Sequence, residues 1–527
     1  MAGENQASSG TPAKVKIVID GRAHEFPAGL TILEACQRVG VQVPFFCWHP
    51  GLSAPAVCRQ CLVEIKGFPK PVPSCYTPVA DKMEVITNSP KVLDVRRQML
   101  EFTLLNHPID CPICDKAGEC MLQKHYFDWD ARLARNDGSK LRKAKVVDVG
   151  RHVVLDQERC ILCSRCIRVC NEVARQQDLV MAFRGDRQLL TTAPGQRLDN
   201  PYSLNTVDVC PVGALTAKDF RFSMRAWELW ATPSVCPGCA TGCNIEIHAA
   251  RDVIRRLIPR LNPAVNKYWM CDEGRLIYQR VHHNRLVSPM VAGSPASWDA
   301  ALAEAARLLA QARDKSPATL GVVLSAQMTN EDLFAFSRLA GEDLRTSRVY
   351  LVGAGEGWRD DILVSADKNP NTTGAKLIGG LTLRTAADLK QDLETGVLTA
   401  LLLVGEADVV GSLGLLQSLV VLTSHQGAPV AAAQVALPLA MWAEVDGSFT
   451  NRQGKVQRLH AAIPPAGQAR PGWGIAARLG QALGAGWTYA NAKQVFSEAR
   501  DKVTLMSGAD WGKAEMPVQL RFANSRG

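Results

Sequence analysis

Seventeen cysteines lie in this chain of 527 residues, and every one falls between Cys36 and Cys271. Residues 272–527 contain none. Within the rich half they gather in short units: CRQC at Cys58–Cys61, CPIC at Cys111–Cys114, CILCSRCIRVC at Cys160–Cys170 and CPGCATGC at Cys236–Cys243. A secreted disulfide protein would be smaller and would scatter its cysteines differently. Repeated C-x2-C units in a large chain, with no secretory or transit pattern read at its start, predict metal ligation in a reducing compartment.

Composition narrows the function classes. With 47% hydrophobic and 21% charged residues the chain reads as globular and long enough for several domains. The net charge of +9 is spread along the sequence. Its densest basic run, Lys140–Lys145 (KLRKAK), comes without a nucleic-acid recognition motif and is read as a solvated face. The start, MAGENQASSGTP, is polar and is expected to be disordered. The most apolar later stretch, Val397–Thr423, is broken by Glu406 and Asp408, which argues against a membrane span.

Four donor sets follow from the spacings. Cys47, Cys58, Cys61 and Cys75 form C-x10-C-x2-C-x13-C. Upstream, VKIVID-GR-AHEF reads as a hairpin and LTILEACQRVG as a short amphipathic helix. That order resembles a plant-type [2Fe–2S] ferredoxin domain, although the first gap is longer than in plant ferredoxins. The second set is His107, Cys111, Cys114 and Cys120 in HPIDCPICDKAGEC. Pro108 and Pro112 stiffen this loop, and Gly118 permits a close backbone approach near the metal. Imidazole carries less charge than thiolate, so the His-for-Cys exchange should raise a cluster's potential.

The third set begins in CILCSRCIRVC, which resembles a bacterial ferredoxin run. In that run a proline follows the fourth cysteine, whereas here Asn171 follows Cys170 and Pro211 follows Cys210. Cys160, Cys163, Cys166 and Cys210 are therefore assigned to one [4Fe–4S] cluster, and Cys170 to a buried thiol. The fourth set, Cys236, Cys239, Cys243 and Cys271, is C-x2-C-x3-C-x27-C. It resembles the leading pattern of molybdopterin-type oxidoreductases, where it holds a [4Fe–4S] cluster. Cys36, on the predicted helix, is left as a core residue. Structural zinc is open for each set alone, but four such sets in one chain favour iron–sulfur ligation together.

In this order the motifs resemble the large iron–sulfur subunit of respiratory NADH:quinone oxidoreductase, complex I. WAEVDGSFTNRQGKVQRL (Trp442–Leu459) and GWRDDILVSADKNPNT around Trp358 are similar to parts of the molybdopterin oxidoreductase fold. The resemblance implies a multidomain chain of α/β and α+β parts. Residues 1–12 would be a disordered N-terminus and 13–95 a [2Fe–2S] ferredoxin domain of the β-grasp type. Residues 96–145 would be the one-His/three-Cys [4Fe–4S] segment, 146–230 a ferredoxin-like [4Fe–4S] domain and 231–288 a molybdopterin-type [4Fe–4S] segment. Residues 289–527 would be a truncated molybdopterin-oxidoreductase-like α/β domain without molybdenum. It further implies one [2Fe–2S] and three [4Fe–4S] clusters, with no flavin or NAD on this chain. The implied role is an electron-transfer subunit of a proton-pumping translocase, with no complete catalytic site of its own. Its implied partners are peripheral-arm subunits, namely the flavin- and NADH-binding subunit and those carrying the next clusters toward quinone. Its implied place is the cytoplasmic side of the inner (plasma) membrane of a bacterium, peripheral through the complex.

The second half reads as a three-layer α/β domain. ATLGVVLSA, RVYLVGAG and LTALLLVGEAD are buried parallel strands and ALAEAARLLAQAR an amphipathic helix. Gly353-Ala-Gly355-Glu-Gly357 lacks the third glycine of a dinucleotide loop and is read as a tight turn. The alternative function is a formate dehydrogenase with iron–sulfur clusters and a molybdopterin. That enzyme needs a metal-ligating residue in its cofactor domain, and no cysteine is available there. An iron–iron hydrogenase would need cysteines beyond Cys271, and a zinc-stapled scaffold would hold zinc in place of iron and sulfide.

Overall fold

The computed structural model describes residues 14–129, 133, 135–136, 138–378, 381–407, 413–503, 511 and 518–519. The predicted disordered segment 1–12 and Asp408 lie outside them. The described residues divide into two compact units, residues 14–227 and residues 228–519.

The first unit opens with the expected hairpin. β1 (Lys14–Ile19) and β2 (Arg22–Pro27) pair antiparallel, with Asp20 and Gly21 at positive φ in the turn. α1 (Ile32–Arg38) follows, held by a capping box in which Thr31 and Glu34 satisfy each other's backbone amides. β3 (Leu62–Ile65), β4 (Val72–Pro73) and β5 (Glu84–Ile86) complete a five-stranded sheet in the order β2-β1-β5-β3-β4. Ile17, Ile19, Ile32, Leu33, Val63 and Val85 form its core, each stabilising it by about 1.5–3 kcal/mol, and Cys36 is fully buried among them.

α2 (Pro90–Leu105) is capped by Ser89 and leads directly to the second donor set. α3 (Met121–Trp129) starts immediately after that set's last cysteine. The third set lies among short elements. β6 (Val147–Asp148), β7 (Val153–Leu155) and a strand at Leu215–Ala217 form one small sheet. α4 (Arg165–Arg168) runs into a π-helical turn at Val169–Ala174, and α5 (Asn205–Val209) precedes Cys210. Lys140–Lys145 is largely exposed, in keeping with its reading as a solvated face, and its lysines also make local bonds. Lys140 Nζ donates to the Leu104 and Leu105 carbonyls at the end of α2, and Lys145 pairs with Asp110, Asp156 and Glu158. The run ties down the loop that carries the second set, because the final carbonyls of a helix are unsatisfied and attract cations.

The second unit contains an antiparallel sheet built on strands Trp230–Val235, Asn244–Ala250 and Val253–Pro259. Beyond it stands an eight-stranded sheet whose centre is parallel. Strands Leu320–Ser325, Val349–Val352, Ala400–Val404, Ser418–Thr423 and Val435–Pro438 pair side by side there. Both faces are buried, as unbroken apolar runs demand. The helix Trp298–Lys315 covers one face through Ala301, Leu302, Ala305 and Leu309. The first strand-end glycine is explained locally: Asn369 Oδ1 accepts from Ala354 N, and a Cβ on Gly353 would lie 2.3 Å from that oxygen. An asparagine side chain thus packs directly on the first of these glycines.

Candidate iron–sulfur sites

The first set is assembled by the loop between α1 and β3 together with the turn after β4. The Cys47 thiol is in hydrogen-bonding contact with those of Cys58 and Cys75, and Cys61 with Cys75. Cys47, Cys61 and Cys75 are buried, and Phe46 N donates to Cys58 Sγ at 3.4 Å. Contact with its neighbours holds the Cys47 thiol far below its ordinary pKa, while Cys58 and Cys75 are pushed up. Four thiols in mutual contact, three of them buried, are a natural set for thiolate ligation, where iron would replace the protons.

The second set lines a single cavity of about 570 Å³ that includes His107, Cys111, Cys114 and Cys120. His107 N bonds to the Leu104 carbonyl at the end of α2, which positions the imidazole. Burial pushes that imidazole down to about 4, so it is neutral at physiological pH. Its Nδ1 is buried without a hydrogen-bond partner, which leaves a nitrogen available for a metal. Pro112 sits in a 3-10 turn, Cys111–Ile113. Gly118 has φ +89°, and a Cβ there would lie 2.6 Å from the Trp227 ring. The close approach expected at this glycine is thus to an aromatic ring.

In the third set the thiols of Cys160, Cys163 and Cys166 each feel that of Cys210. Burial pushes Cys160 up to about 12 and Cys163 up to about 11. Leu162 and Ser164 take left-handed conformations, which wrap the C-x2-C-x2-C run into a tight loop. Cys170 lies in the π-helical turn, with its Sγ 4.0 Å from Asn200 Nδ2 and near Asp178. Cys170→Ala is expected to leave the iron content unchanged, whereas Cys210→Ala removes about four iron per chain. Iron and sulfide analysis of both variants checks this, and loss of iron from Cys170→Ala would reassign the fourth ligand.

The fourth set lies at a hairpin end. Val235 pairs with Asn244 and Cys236 N bonds to the Cys243 carbonyl, so CPGCATGC forms the turn between the strands. Cys271 caps a short helix and accepts from Gly274 N at 3.3 Å. All four thiols line one small cavity. A Cβ on Gly274 would lie 2.9 Å from Cys236 Sγ. Both second-half motifs, around Trp358 and at Trp442–Leu459, buttress this turn. Asn451 Nδ2 donates to the Thr241 carbonyl, Gln457 Nε2 to that of Gly242, and Arg452 N to that of Ala240. From the other motif, the Leu363 carbonyl accepts from Thr241 Oγ1 and that of Asp367 from Ala240 N.

Among the described residues no group of three or more His, Cys, Asp or Glu side chains converges on a single-ion geometry. The ligands of a cluster bind different iron atoms and need not meet at one point. His248, a lone histidine, is buried and accepts from Arg256 Nε at 3.0 Å, in keeping with a structural role. Sequence reasoning passed over Gly213 and Arg165. A Cβ on Gly213 would lie 2.2 Å from Cys114 Sγ, which packs the backbone after Cys210 directly on the second set. Arg165 lies inside the third set and bonds outward to the first. Their only signals in sequence were a glycine three residues after a ligand and a charge between two ligands.

The fold and its donor sets define the class: an iron–sulfur protein with an N-terminal ferredoxin-type domain and a C-terminal molybdopterin-oxidoreductase domain. Five family models match in series. They are the 2Fe-2S iron-sulfur cluster binding domain at 12–90, the NADH-ubiquinone oxidoreductase-G iron-sulfur binding region at 96–131 and the NADH-quinone oxidoreductase subunit 3 ferredoxin-like domain at 150–216. The Molybdopterin oxidoreductase Fe4S4 domain follows at 230–283 and Molybdopterin oxidoreductase at 366–482. Within that class the chain is similar to proteins named as subunits of NADH-quinone and NADH-ubiquinone oxidoreductases, among them a 75 kDa subunit. It is 38% identical over 341 residues to the NADH-ubiquinone oxidoreductase 75 kDa subunit of Reclinomonas americana, covering 64% of this chain and 49% of that one. It is 39% identical over 302 residues to the mitochondrial NADH dehydrogenase [ubiquinone] iron-sulfur protein 1 of Solanum tuberosum, covering 56% and 41%. It is 37% identical over 343 residues to the corresponding NADH-quinone oxidoreductase subunit of Streptomyces coelicolor, covering 64% and 40%. The chain thus spans less than half the length of these curated relatives. A solved NAD+-reducing [NiFe]-hydrogenase chain is 29% identical, with a TM-score of 0.37, over 40% of this chain and 91% of that one.

Proposed function

We propose that this chain is an electron-transfer subunit of a proton-pumping NADH:quinone oxidoreductase. It holds one [2Fe–2S] cluster on Cys47, Cys58, Cys61 and Cys75. It holds [4Fe–4S] clusters on three further sets: His107 with Cys111, Cys114 and Cys120; Cys160, Cys163, Cys166 and Cys210; and Cys236, Cys239, Cys243 and Cys271. The observation that carries the reading is that each set is gathered from distant or loop-borne residues into a largely buried group. Bound there, iron–sulfur clusters supply one-electron acceptance and release. The chain's own residues exclude water from the thiols, orient them, and donate backbone amides to sulfur, as Phe46, Gly238 and Gly274 do. His107 contributes a neutral donor in place of a thiolate.

Within the complex the chain takes electrons from the flavin- and NADH-binding subunit and passes them to the subunits nearer quinone. It sits on the cytoplasmic side of the bacterial inner membrane. Among the described residues no helix is long and apolar enough to cross a membrane. Division at residues 12, 95, 145, 230 and 288 gives one segment to each set and one to the cysteine-free domain.

The test is metal analysis of protein purified without oxygen. One two-iron and three four-iron clusters give about 14 iron and about 14 sulfide per chain, without molybdenum. Stoichiometric molybdenum would favour the formate dehydrogenase alternative, and zinc in place of iron would end the electron-transfer reading.

A further inference from the structure

Arg165 and Arg168 lie one helical turn apart in α4, inside the loop of the third set, and both are buried. Neither points to solvent. Arg165 Nη2 donates to the carbonyl of Trp48, the residue after ligand Cys47, at 2.5 Å. Its Nη1 donates at 3.0 Å to the carbonyl of Val209, the residue before ligand Cys210, and lies 3.6 Å from Met121 Sδ. Arg168 Nη2 donates to the carbonyls of Cys47 and Cys163, and Nη1 to that of Ser53. Both guanidinium groups feel the thiols of Cys47 and Cys163, and Arg165 also feels Cys210.

These bonds run to neutral carbonyls, so they satisfy the donors without cancelling the charges. Two buried cations three residues apart repel each other, and Arg165 Nε has no hydrogen-bond partner. A charge left in this state demands an anion nearby. The anions at hand are the thiolates of the first and third sets, and for Arg168 also the Glu172 carboxylate. The planar guanidinium forks also fix geometry, because each spans two segments through rigidly directed N–H groups.

We propose that Arg165 and Arg168 form a cationic bridge that positions the first and third ligand sets against each other and raises the reduction potentials of both clusters. The inference rests on the proposed function, since it needs clusters on both sets. A fixed positive charge at low dielectric favours the reduced, more negative state of a nearby redox centre. One bridge therefore shifts two centres together and in the same direction. It acts by charge and placement, and neither arginine is a ligand.

The experiment is a redox titration followed by electron paramagnetic resonance on the full, cluster-loaded chain, comparing the parent with Arg165→Gln, Arg165→Lys and Arg168→Gln. Iron and sulfide content of the parent is measured first. A parent without clusters on these sets defeats the proposed function and is distinguishable from any failure of the bridge. The expected result is a downward shift of both midpoint potentials in each glutamine variant at parent cluster content, with a smaller downward shift in Arg165→Lys, which keeps the charge but loses the fork. Unshifted potentials in both glutamine variants overturn the bridge, and so does a shift in Arg165→Lys as large as in Arg165→Gln. Should Arg165→Gln fail to load, Arg168→Gln decides: lowered potentials support the bridge, and parent potentials overturn it.

Discussion

Replacing Gly213 with alanine is expected to remove the cluster of the second set, with a loss of about four iron and four sulfide per chain. The backbone at Gly213 presses against Cys114 so closely that a Cβ would lie 2.2 Å from its Sγ, 3.3 Å from Lys116 Cβ and 3.6 Å from Arg159 Cδ. The sulfur cannot swing away without leaving the ligand set, and the backbone cannot retreat because Pro211 O accepts from Met121 N at 3.0 Å. Overpacking of this kind costs about 1–3 kcal/mol even where no metal is involved. Here the strain falls on a ligand, so it is expressed as lost metal. Gly355→Ala, where a Cβ meets nothing within 4 Å, serves as the control and should retain full iron content. Gly213→Ala with parent iron and an unaltered spectrum of the His107 cluster would show that the sulfur is not held where the structure places it.

That glycine illustrates the limit of what a sequence can display. The groups of side chains that the structure gathers were readable from their C-x2-C units and the cysteines or histidine flanking them. The hairpin of β1 and β2 was readable from alternation around Gly21, and the central parallel strands from unbroken apolar runs such as Leu401-Leu402-Leu403. Gly213 was not, because its need for space comes from Cys114, far away in sequence, and its φ is not of the kind that marks a glycine. Arg165 looked like any charge in a loop, because its partners Trp48 and Val209 are brought to it by folding. Lys140–Lys145 was readable as a solvated face, but the carbonyls and carboxylates that its lysines bind carry no signal in a neighbouring residue. The π-helical turn that sets Cys170 beside Asn200 was equally hidden, since one extra residue per turn leaves no compositional mark.

Glu444→Ala is expected to destabilise the second unit by about 3–5 kcal/mol. Glu444 lies within the Trp442–Leu459 motif that resembles molybdopterin oxidoreductases, so its role bears on what that motif does here. Its carboxylate takes both arms of the Arg285 guanidinium, at 2.7 and 2.8 Å, with side chains only 1% and 5% exposed. It also accepts from Met441 N at 2.7 Å and Ala466 N at 3.1 Å. Arg285 in turn donates through Nε to the Ser424 carbonyl at 3.0 Å, at the end of a central strand. One carboxylate thus joins the motif, the strand end and the segment after the fourth ligand set. Alanine would leave a buried guanidinium without its anion and two amides without an acceptor, which is why the loss exceeds that of a surface pair. Chemical denaturation reports it, and a difference below about 1 kcal/mol would refute the assignment. Arg285→Met combined with Glu444→Leu should recover much of the stability, because an apolar pair removes the uncompensated charge. Recovery would show that this part of the motif serves the fold and the support of the fourth set, and it requires no pterin chemistry from Glu444.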